Sequence, residues 1–433
     1  MVRGMSRFGK PGVVRGALAA TVLLTSLSMV GCGQIARGDN PLGGNGNPDS
    51  KTSSQPSAGG KQPGEKPSKP APPPDPYKLT SNIKDEASDV KIDKILKLTA
   101  SNGTLSKVKV TGSVLDHGET KKVSLDGDLT DGKTGWTASE LLEPSGDYTV
   151  KVSGINSDGK KESDTSTFST KDVSLDNQVF PSFAGTMSGT VGVATPVVLQ
   201  FDLPVKDKKT FEKHLHVSSS SDQKGSWHWY NDKEVHWRPA EYWEPGTKVT
   251  ATADLNSVPA GDGLYGQKSV STSFTVGDSV ITKVNLKSHI AKVYVNSKLA
   301  RTMKISAGKP GDDTRSGTSV ITEKRTNYTM TSEMIGLPKT GPESYRLTAA
   351  YAMRITTSGE FLHSAPWNAG YFGRQNASHG CIGMSVEDSG WLYKHAKSGS
   401  PVIVTGSKRS LDPLNGLTDW NVDFETYAEG SAL

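Results

Sequence analysis

The chain holds two cysteines, and one of them, Cys381, stands in "NASHGCIGMSVEDSG" directly after His379-Gly380, with His363 a short way upstream in "GEFLHSAPW". A thiolate is a strong nucleophile toward an acyl carbon, and a thiol needs a base or an ion-pair partner to become one. His363 and His379 are the only histidines that closely precede it. In a tight His-Gly-Cys turn the backbone bends at the glycine, which leaves His379 badly placed to present its ring to the sulfur. His363, on a neighbouring strand, can approach from the side, so His363 is assigned as the base and His379 a shaping role. Gly380 lets the chain approach closely, and N–H groups around Gly380 and Cys381 can point at a developing oxyanion. Singly, a buried cysteine and satisfied histidines are commonplace. Their combination argues for acyl transfer.

The elements that would position this set follow from local pattern. "EFLHSAPW" alternates into a strand ending at His363, and "SVEDSGWLYKHAKSG" carries helix signals, with Ser385 and Asp388 as a capping box and Gly399 as the stop. Cys381 is thus expected in the turn just before a helix, whose positive end, with a nearby imidazolium, would lower the thiol pKa. Upstream, "ITKVNLKSHIAKVYVNSKLARTMKISAG" reads as a hairpin turning at Asn296-Ser297, and "GTSVITEK" as another strand. The Gly-rich "GKPGDDTRSGTS" lacks the lysine and the following helix of a phosphate loop. A loop over an active site and a plain surface connection both fit it.

From Asp89 to about Asp278 short β-type runs alternate with Gly, Asp, Asn and Pro, which suggests β-sandwiches. "WTASELLEPSGDYTV" from Trp136 and "WRPAEYWEPGTKVTA" from Trp237 share Trp, Glu and Glu-Pro at one spacing, and each is followed by a closing strand, "TFSTKD" and "SFTVGD". Two related sandwiches in tandem explain this repeat. The run "WHWYNDKEVHW" admits a sugar-stacking face, or His228 and His236 as metal ligands. A hairpin around Asn231-Asp232, with Trp and His on opposite faces filling a core or a domain interface, is the simpler account.

At the N-terminus Arg3, Arg7, Lys10 and Arg15 precede the apolar run "GALAATVLLTSLSMVG", which then meets Cys32. A positive start and an apolar run of roughly 15 residues describe a secretory signal and fall short of a membrane-spanning helix. "MVGC" resembles a lipobox, in which Cys32 is lipidated and becomes the mature N-terminus, with Met29 where leucine is commoner. The alternative is an ordinary signal cleaved near "SMVG" that leaves Cys32 a spare thiol, but an unpaired exported cysteine needs a reason. With Cys32 tethered, Cys381 has no disulfide partner. The following segment is Gly, Pro and Ser with scattered lysines, a disordered spacer. A net charge of +5 is mild: it suits anionic wall polymers or lipid head groups, a solvated basic surface is the default reading, and no basic cluster with interleaved aromatics argues for nucleic acid.

"SHGC" with the upstream "LHSAPW" is similar to the signature of the L,D-transpeptidase (YkuD) family, and the order of segments resembles its actinobacterial lipoprotein members. The likeness extends from about Phe180 to Phe424. It implies a mainly β chain: signal peptide 1–31, linker 32–80, immunoglobulin-like β-sandwich domains 81–173 and 174–278, a β-rich catalytic domain 279–406 with a short helix after the cysteine, and a C-terminal extension 407–433. The resemblance makes Cys381 the acylated nucleophile, His363 its base and Ser364 the residue orienting His363, with His379 and Gly380 forming the turn. Tyr345, Trp367, Ser378 and Gly383 would line the substrate pocket. Gly383 departs from the family, which often has Asn or Arg there, and puts the pocket wall in question. Trp420 and Phe424 would plug the extension onto the catalytic domain.

The implied reaction is attack on the third residue of a peptidoglycan tetrapeptide stem, release of D-Ala, and a 3→3 cross-link to the side-chain amine of an acceptor stem. Carbapenems would acylate the same cysteine, and no metal or organic cofactor is implied. Hydrolysis or amino-acid exchange at the same acyl-enzyme, and a non-catalytic wall-binding scaffold lipoprotein, are the rivals. A sortase is disfavoured because its cysteine ends a strand and needs a later Arg.

Overall fold

The computed structural model describes residues 75–433 apart from 117–118, 185–186 and 343. The signal segment, Cys32 and most of the expected linker lie outside the described residues. Where the linker was expected to end, Lys78–Ser81 already forms a strand paired with Lys97–Ser101, so ordered sheet begins a few residues early.

In the first sandwich that strand joins a four-stranded sheet with Gly135–Ala138 and Gly127–Leu129. The opposing sheet is five-stranded, ordered Ala87–Val90, Lys161–Thr170, Gly146–Asn156, Gly103–Asp116, Glu119–Leu125. Period-2 alternation in Gly146–Asn156 sends Tyr148, Val150 and Val152 inward against Leu98 and Trp136. The second sandwich sets Pro181–Phe183, Val197–Phe201, Glu234–Pro239 and Gly225–Asn231 against Gly189–Val191, Val270–Val276, Lys248–Ala253 and Leu215–Ser219. Trp136 and Trp237, matched by the repeat, each enter a sandwich core.

The third unit is built of β1 Val280–Asn285, β2 Ile290–Val295, β3 Lys298–Lys304, β4 Gly317–Val320, β5 Glu323–Thr331, β6 Arg346–Arg354, β7 Phe361–Ser364, β8 Ile382–Met384, helix α1 Val386–His395 and β9 Pro401–Thr405. One sheet runs β3-β2-β1-β9-β4 and the other β5-β6-β7-β8. Asn296 and Ser297 both take positive φ, 45° and 68°, the two-residue turn whose twist matches its strands. Leu362, Ile382 and Met384 bury one face of β7 and β8 with Leu392 of α1. Their other face is left for chemistry.

Two local expectations are corrected. Cys381 is followed by β8, and α1 starts only at Val386, capped by the Ser385 hydroxyl, which accepts the Asp388 N–H at 3.0 Å. Parallel pairing of residues 382–384 with 362–364 holds the chain extended beyond the cysteine. The helix also ends early, at His395, and Gly399 (φ 90°) instead turns the chain into β9, where its carbonyl accepts the Ala194 N–H of the second sandwich.

The C-terminal extension bridges two units. Leu411 N–H donates to Ser316 O (2.8 Å), and Asn421 Oδ1 accepts the Thr318 N–H (3.0 Å), both beside β4. Trp420 and Phe424, however, close on the second sandwich. Trp420 Nε1 donates to Ala194 O, and the Arg238 guanidinium lies 4.5 Å from the Trp420 ring, 4.5 Å from Tyr427 and 5.4 Å from Phe424. A fully buried guanidinium needs such π-faces.

Candidate active site

The parallel pair β7–β8 places His363 directly across from Gly383. Side chains two apart share a face, so Cys381, two before Gly383, stands on the His363 side of the pair. Phe361, on that same face, packs against Cys381 together with Tyr345 and Tyr328. The Cys381 thiol donates to the Gly359 carbonyl at 3.5 Å, and no side chain rises from the position opposite the His363 ring.

His363 is 5 % exposed, and its Nδ1 lies 2.9 Å from the Ser364 carbonyl. A carbonyl only accepts, so Nδ1 carries the hydrogen and Nε2 keeps the lone pair. Ser364 therefore orients the ring through its backbone, while its hydroxyl accepts the Tyr351 N–H at 3.3 Å. Trp367, from the 3-10 turn Pro366–Tyr371, stacks on the imidazole with centroids 5.9 Å apart and is 38 % exposed.

His379 is held away from the sulfur. Its ring stacks on Tyr345 at 5.6 Å, and its Nε2 is 3.3 Å from Lys309 Nζ. Burial pushes the Tyr345 phenol up to about 12, with the Cys381 sulfur adding to the rise, so Tyr345 stays a hydrogen-bond donor beside the nucleophile. The Ser378 hydroxyl is committed to the turn: it donates to Cys381 O (2.6 Å) and accepts the Gly380 N–H (3.1 Å). That second bond takes the Gly380 N–H that the sequence offered to an oxyanion.

At Gly383 an added Cβ would lie 2.9 Å from Ala365 Cβ, 3.5 Å from Ser306 O and 3.8 Å from the Phe372 ring. A larger residue there needs Ala365 or Phe372 to move.

The Gly-rich 308–319 segment flanks the turn rather than crossing the site. Ser306 and Gly383 exchange backbone bonds of 3.0 and 2.8 Å, and Lys309 N–H donates to Ser378 O at 2.9 Å. Thr314, Arg315 and Glu360, which sequence reasoning passed over, complete this support: the Thr314 hydroxyl donates to Gly380 O at 2.7 Å, and Arg315 pairs with Glu360. The one available signal was an acid at the mouth of the apolar strand "FLHS".

The electrostatics reverse the expected thiol shift. Burial pushes the half-buried Cys381 thiol up to about 12; the Phe361 N–H and Arg354 pull the other way, and the Glu360 charge adds to the rise. Burial likewise lowers His363, opposed by its bond to Ser364. With β8 between sulfur and helix, the α1 dipole is too far to act, and the resting pair is neutral thiol and neutral imidazole.

The aromatic run of the second sandwich belongs to a joint. Trp227 and Trp229 face the core, while His228 stacks on Tyr427 at 4.8 Å. His236 donates from Nδ1 to Asp419 (2.7 Å) and from Nε2 to Glu234 (2.8 Å), which uses both ring nitrogens. Neither histidine is set out for a metal or a sugar.

Family models match twice: a bacterial Ig domain over residues 87–259 and an L,D-transpeptidase catalytic domain over 279–404. The chain is 32 % identical to L,D-transpeptidase 2 of Mycobacterium tuberculosis over 356 residues, covering 82 % of this chain and 85 % of that protein. It is 33 % identical to L,D-transpeptidase 5 of the same organism, covering 84 % and 78 %. A solved L,D-transpeptidase in complex with imipenem is similar to it at 33 % identity, covering 52 % of this chain and 97 % of that one, with a TM-score of 0.45. On the match to the catalytic domain and the relatives that span most of its length, this chain is a member of the L,D-transpeptidase family, an enzyme carrying bacterial Ig-type sandwiches ahead of its catalytic domain.

Proposed function

We propose that the chain cross-links peptidoglycan stem peptides through a thioester on Cys381. The observation that carries this is the parallel pairing of β7 with β8, which sets His363 across from Gly383, two residues after Cys381, with Cys381 packed in the cluster of Phe361. His363 Nε2 takes the Sγ proton as the sulfur attacks the carbonyl of the third residue of a tetrapeptide stem. The tetrahedral oxyanion collapses, the C–N bond to terminal D-Ala breaks, and the leaving amine takes the proton from His363. An acceptor side-chain amine then gives its proton to His363 and attacks the thioester, the C–S bond breaks, and the thiol is restored. A pair that is neutral at rest suits this order, because proton and charge move only when substrate excludes water.

Tyr345, Trp367 and Gly383 would bound the stem-peptide pocket, with Ser378, His379 and Gly380 fixing the turn. A strained β-lactam carbonyl meets the same sulfur, so carbapenems would leave a stable acyl adduct. We further propose that Cys32 carries lipid, that the chain faces the wall outside the membrane, and that the segment 32–80 is its tether. Unchanged membrane association of a Cys32→Ser protein in cells would count against the anchor.

The test is mass spectrometry of disaccharide-tetrapeptide incubated with the protein, beside Cys381→Ala. A dimer whose mass equals two monomers less one alanine, absent from the control, supports the reading. Monomer that has only lost alanine would make the enzyme a carboxypeptidase, and unchanged substrate in both would favour a wall-binding scaffold.

A further inference from the structure

Behind the Cys381 turn lies a buried ion pair that acyl transfer does not itself use. Glu360 immediately precedes β7 and faces away from Phe361 and His363, and Arg315 follows Thr314 in the segment before β4. Arg315 Nη1 is 2.9 Å from Glu360 Oε1, with side chains only 12 % and 7 % exposed, and the Arg315 backbone N–H reaches the same oxygen at 3.4 Å. A Cβ on Gly380 would lie 3.4 Å from Glu360 Oε1 and 3.5 Å from its Cγ. The acid is therefore packed flat against the residue ahead of the nucleophile.

The same short stretch holds the turn a second way. The Thr314 hydroxyl accepts the Gly308 N–H at 2.9 Å and donates to Gly380 O at 2.7 Å, while Arg315 Nε reaches Asp412 of the extension at 3.2 Å. Thr314 grips Gly380 by its carbonyl, and Arg315 holds the acid behind it.

A buried ion pair is a poor source of stability, because desolvation of both charges offsets their attraction. Its place therefore asks for another account. A carboxylate behind Cys381 opposes a thiolate, and a guanidinium bound to it offsets that opposition. The other groups about the thiol are Arg354 on β6, Tyr345 ahead of it and the Gly359 carbonyl 3.5 Å from Sγ, with His363 two residues along β7 from Phe361, while His379 is turned onto Tyr345 and Lys309. Asp412 and Arg409 of the extension face the pair itself. Burial pushes the Glu360 carboxyl up and Arg315 pulls it back, so the charge at this spot depends on the partner.

We infer that Arg315 and Glu360 are positioning residues for the nucleophile: they brace the Gly380–Cys381 backbone from behind and balance the charge against which the Cys381 thiol must give up its proton. The inference rests on Cys381 as nucleophile, but its test does not need turnover.

The test is the pH dependence of iodoacetamide alkylation of the full-length protein, read by mass spectrometry on the peptide containing Cys381 so that Cys32 contributes nothing. Glu360→Gln keeps the shape and removes the negative charge, and its profile is expected to move to lower pH by about half a unit, so that alkylation on the rising limb is about threefold faster. Arg315→Met, which leaves the acid without its partner, should move the profile the other way. The double variant, with both charges gone, should return toward the parent, and it carries the test should the Arg315 single variant fail to fold. A Glu360→Gln profile superposable on that of the parent, or lowered thermal stability with no shift of profile, overturns the inference and leaves the pair a merely structural one. Carbapenem acylation of the parent, measured alongside, reports on the functional reading separately: its failure would sink Cys381 as acyl carrier without touching the alkylation result.

Discussion

Two histidines in this chain are almost equally buried, His363 at 5 % and His236 at 1 % exposure, and they are driven to opposite charge states. Burial works against the charged form of both. At His363 the one polar partner of Nδ1 is the Ser364 carbonyl, which accepts a hydrogen bond but carries no charge, and burial wins. At His236 burial is outweighed by Asp419 and Glu234, one carboxylate on each ring nitrogen, and the ring is raised to about 9. The neighbours, and not the residue type or its depth, decide whether a buried imidazole is a proton acceptor or a charged strut.

Exchanging each histidine for glutamine would break the comparison most directly. At His363 the loss of the Nε2 lone pair should cut the rate of Cys381 acylation by about 10²- to 10⁴-fold, as for other positioned bases, with only a small change in melting temperature. Stopped-flow acylation by a carbapenem reads this; a rate within tenfold of the parent would remove His363 as base.

At His236 the same exchange should leave acylation per folded molecule unchanged and cost stability instead, because it takes the charged partner from the fully buried Asp419, which keeps only the Tyr427 and Tyr230 hydroxyls on Oδ1 and no partner on Oδ2. Breaking one half of a buried pair costs about 3–5 kcal/mol, measurable by chemical denaturation. The joint also has a pH signature. His236 rises from an ordinary 6.5 to about 9, so its contribution is fully present below 6.5 and fades as pH rises through 9, by about 3 kcal/mol in all. Asp419 is lowered, with burial opposing and His236 prevailing, so its contribution is present above the ordinary carboxylate range and fades in acid. His363 has the reverse sign to His236: its folded pKa lies below 6.5, so it takes stability away as pH falls through 6.5. The parent's melting temperature should therefore fall between pH 7 and 10 more steeply than that of His236→Gln. Parallel curves would mean that His236 is neutral.

The same contrast separates what was legible in the sequence. Cys381, His363 and the strand that carries the histidine could be read from local pattern, because alternation and a two-residue turn such as Asn296-Ser297 are decided within a few residues. Faces were legible too, since period-2 placement put Trp229 and His228 on opposite sides of one strand. Charge was not. His236 meets Asp419 across 183 residues and Arg315 meets Glu360 across 45, and only the packed chain sets which acid lies beside which base. The expected lowering of the thiol failed for the same reason. A capping box marks where a helix starts, but the pairing of residues 382–384 with 362–364, which sets the cysteine apart from that helix, is a tertiary fact.

The smallest predicted effect sharpens the comparison at the residue next to the base. If the neutral state and the aim of His363 come from a backbone carbonyl, the side chain of Ser364 is dispensable, since Ser364→Ala leaves that carbonyl in place. Ser364 is fully buried and its hydroxyl accepts one long bond, 3.3 Å, from the Tyr351 N–H, so its loss should cost about 1 kcal/mol of stability. Acylation should stay within about threefold of the parent, because less than 1 kcal/mol of barrier is at stake. A fall of tenfold or more, with stability kept, would show that the hydroxyl orients the ring, and that the lone pair on Nε2 owes its direction to a side chain the static geometry turns elsewhere.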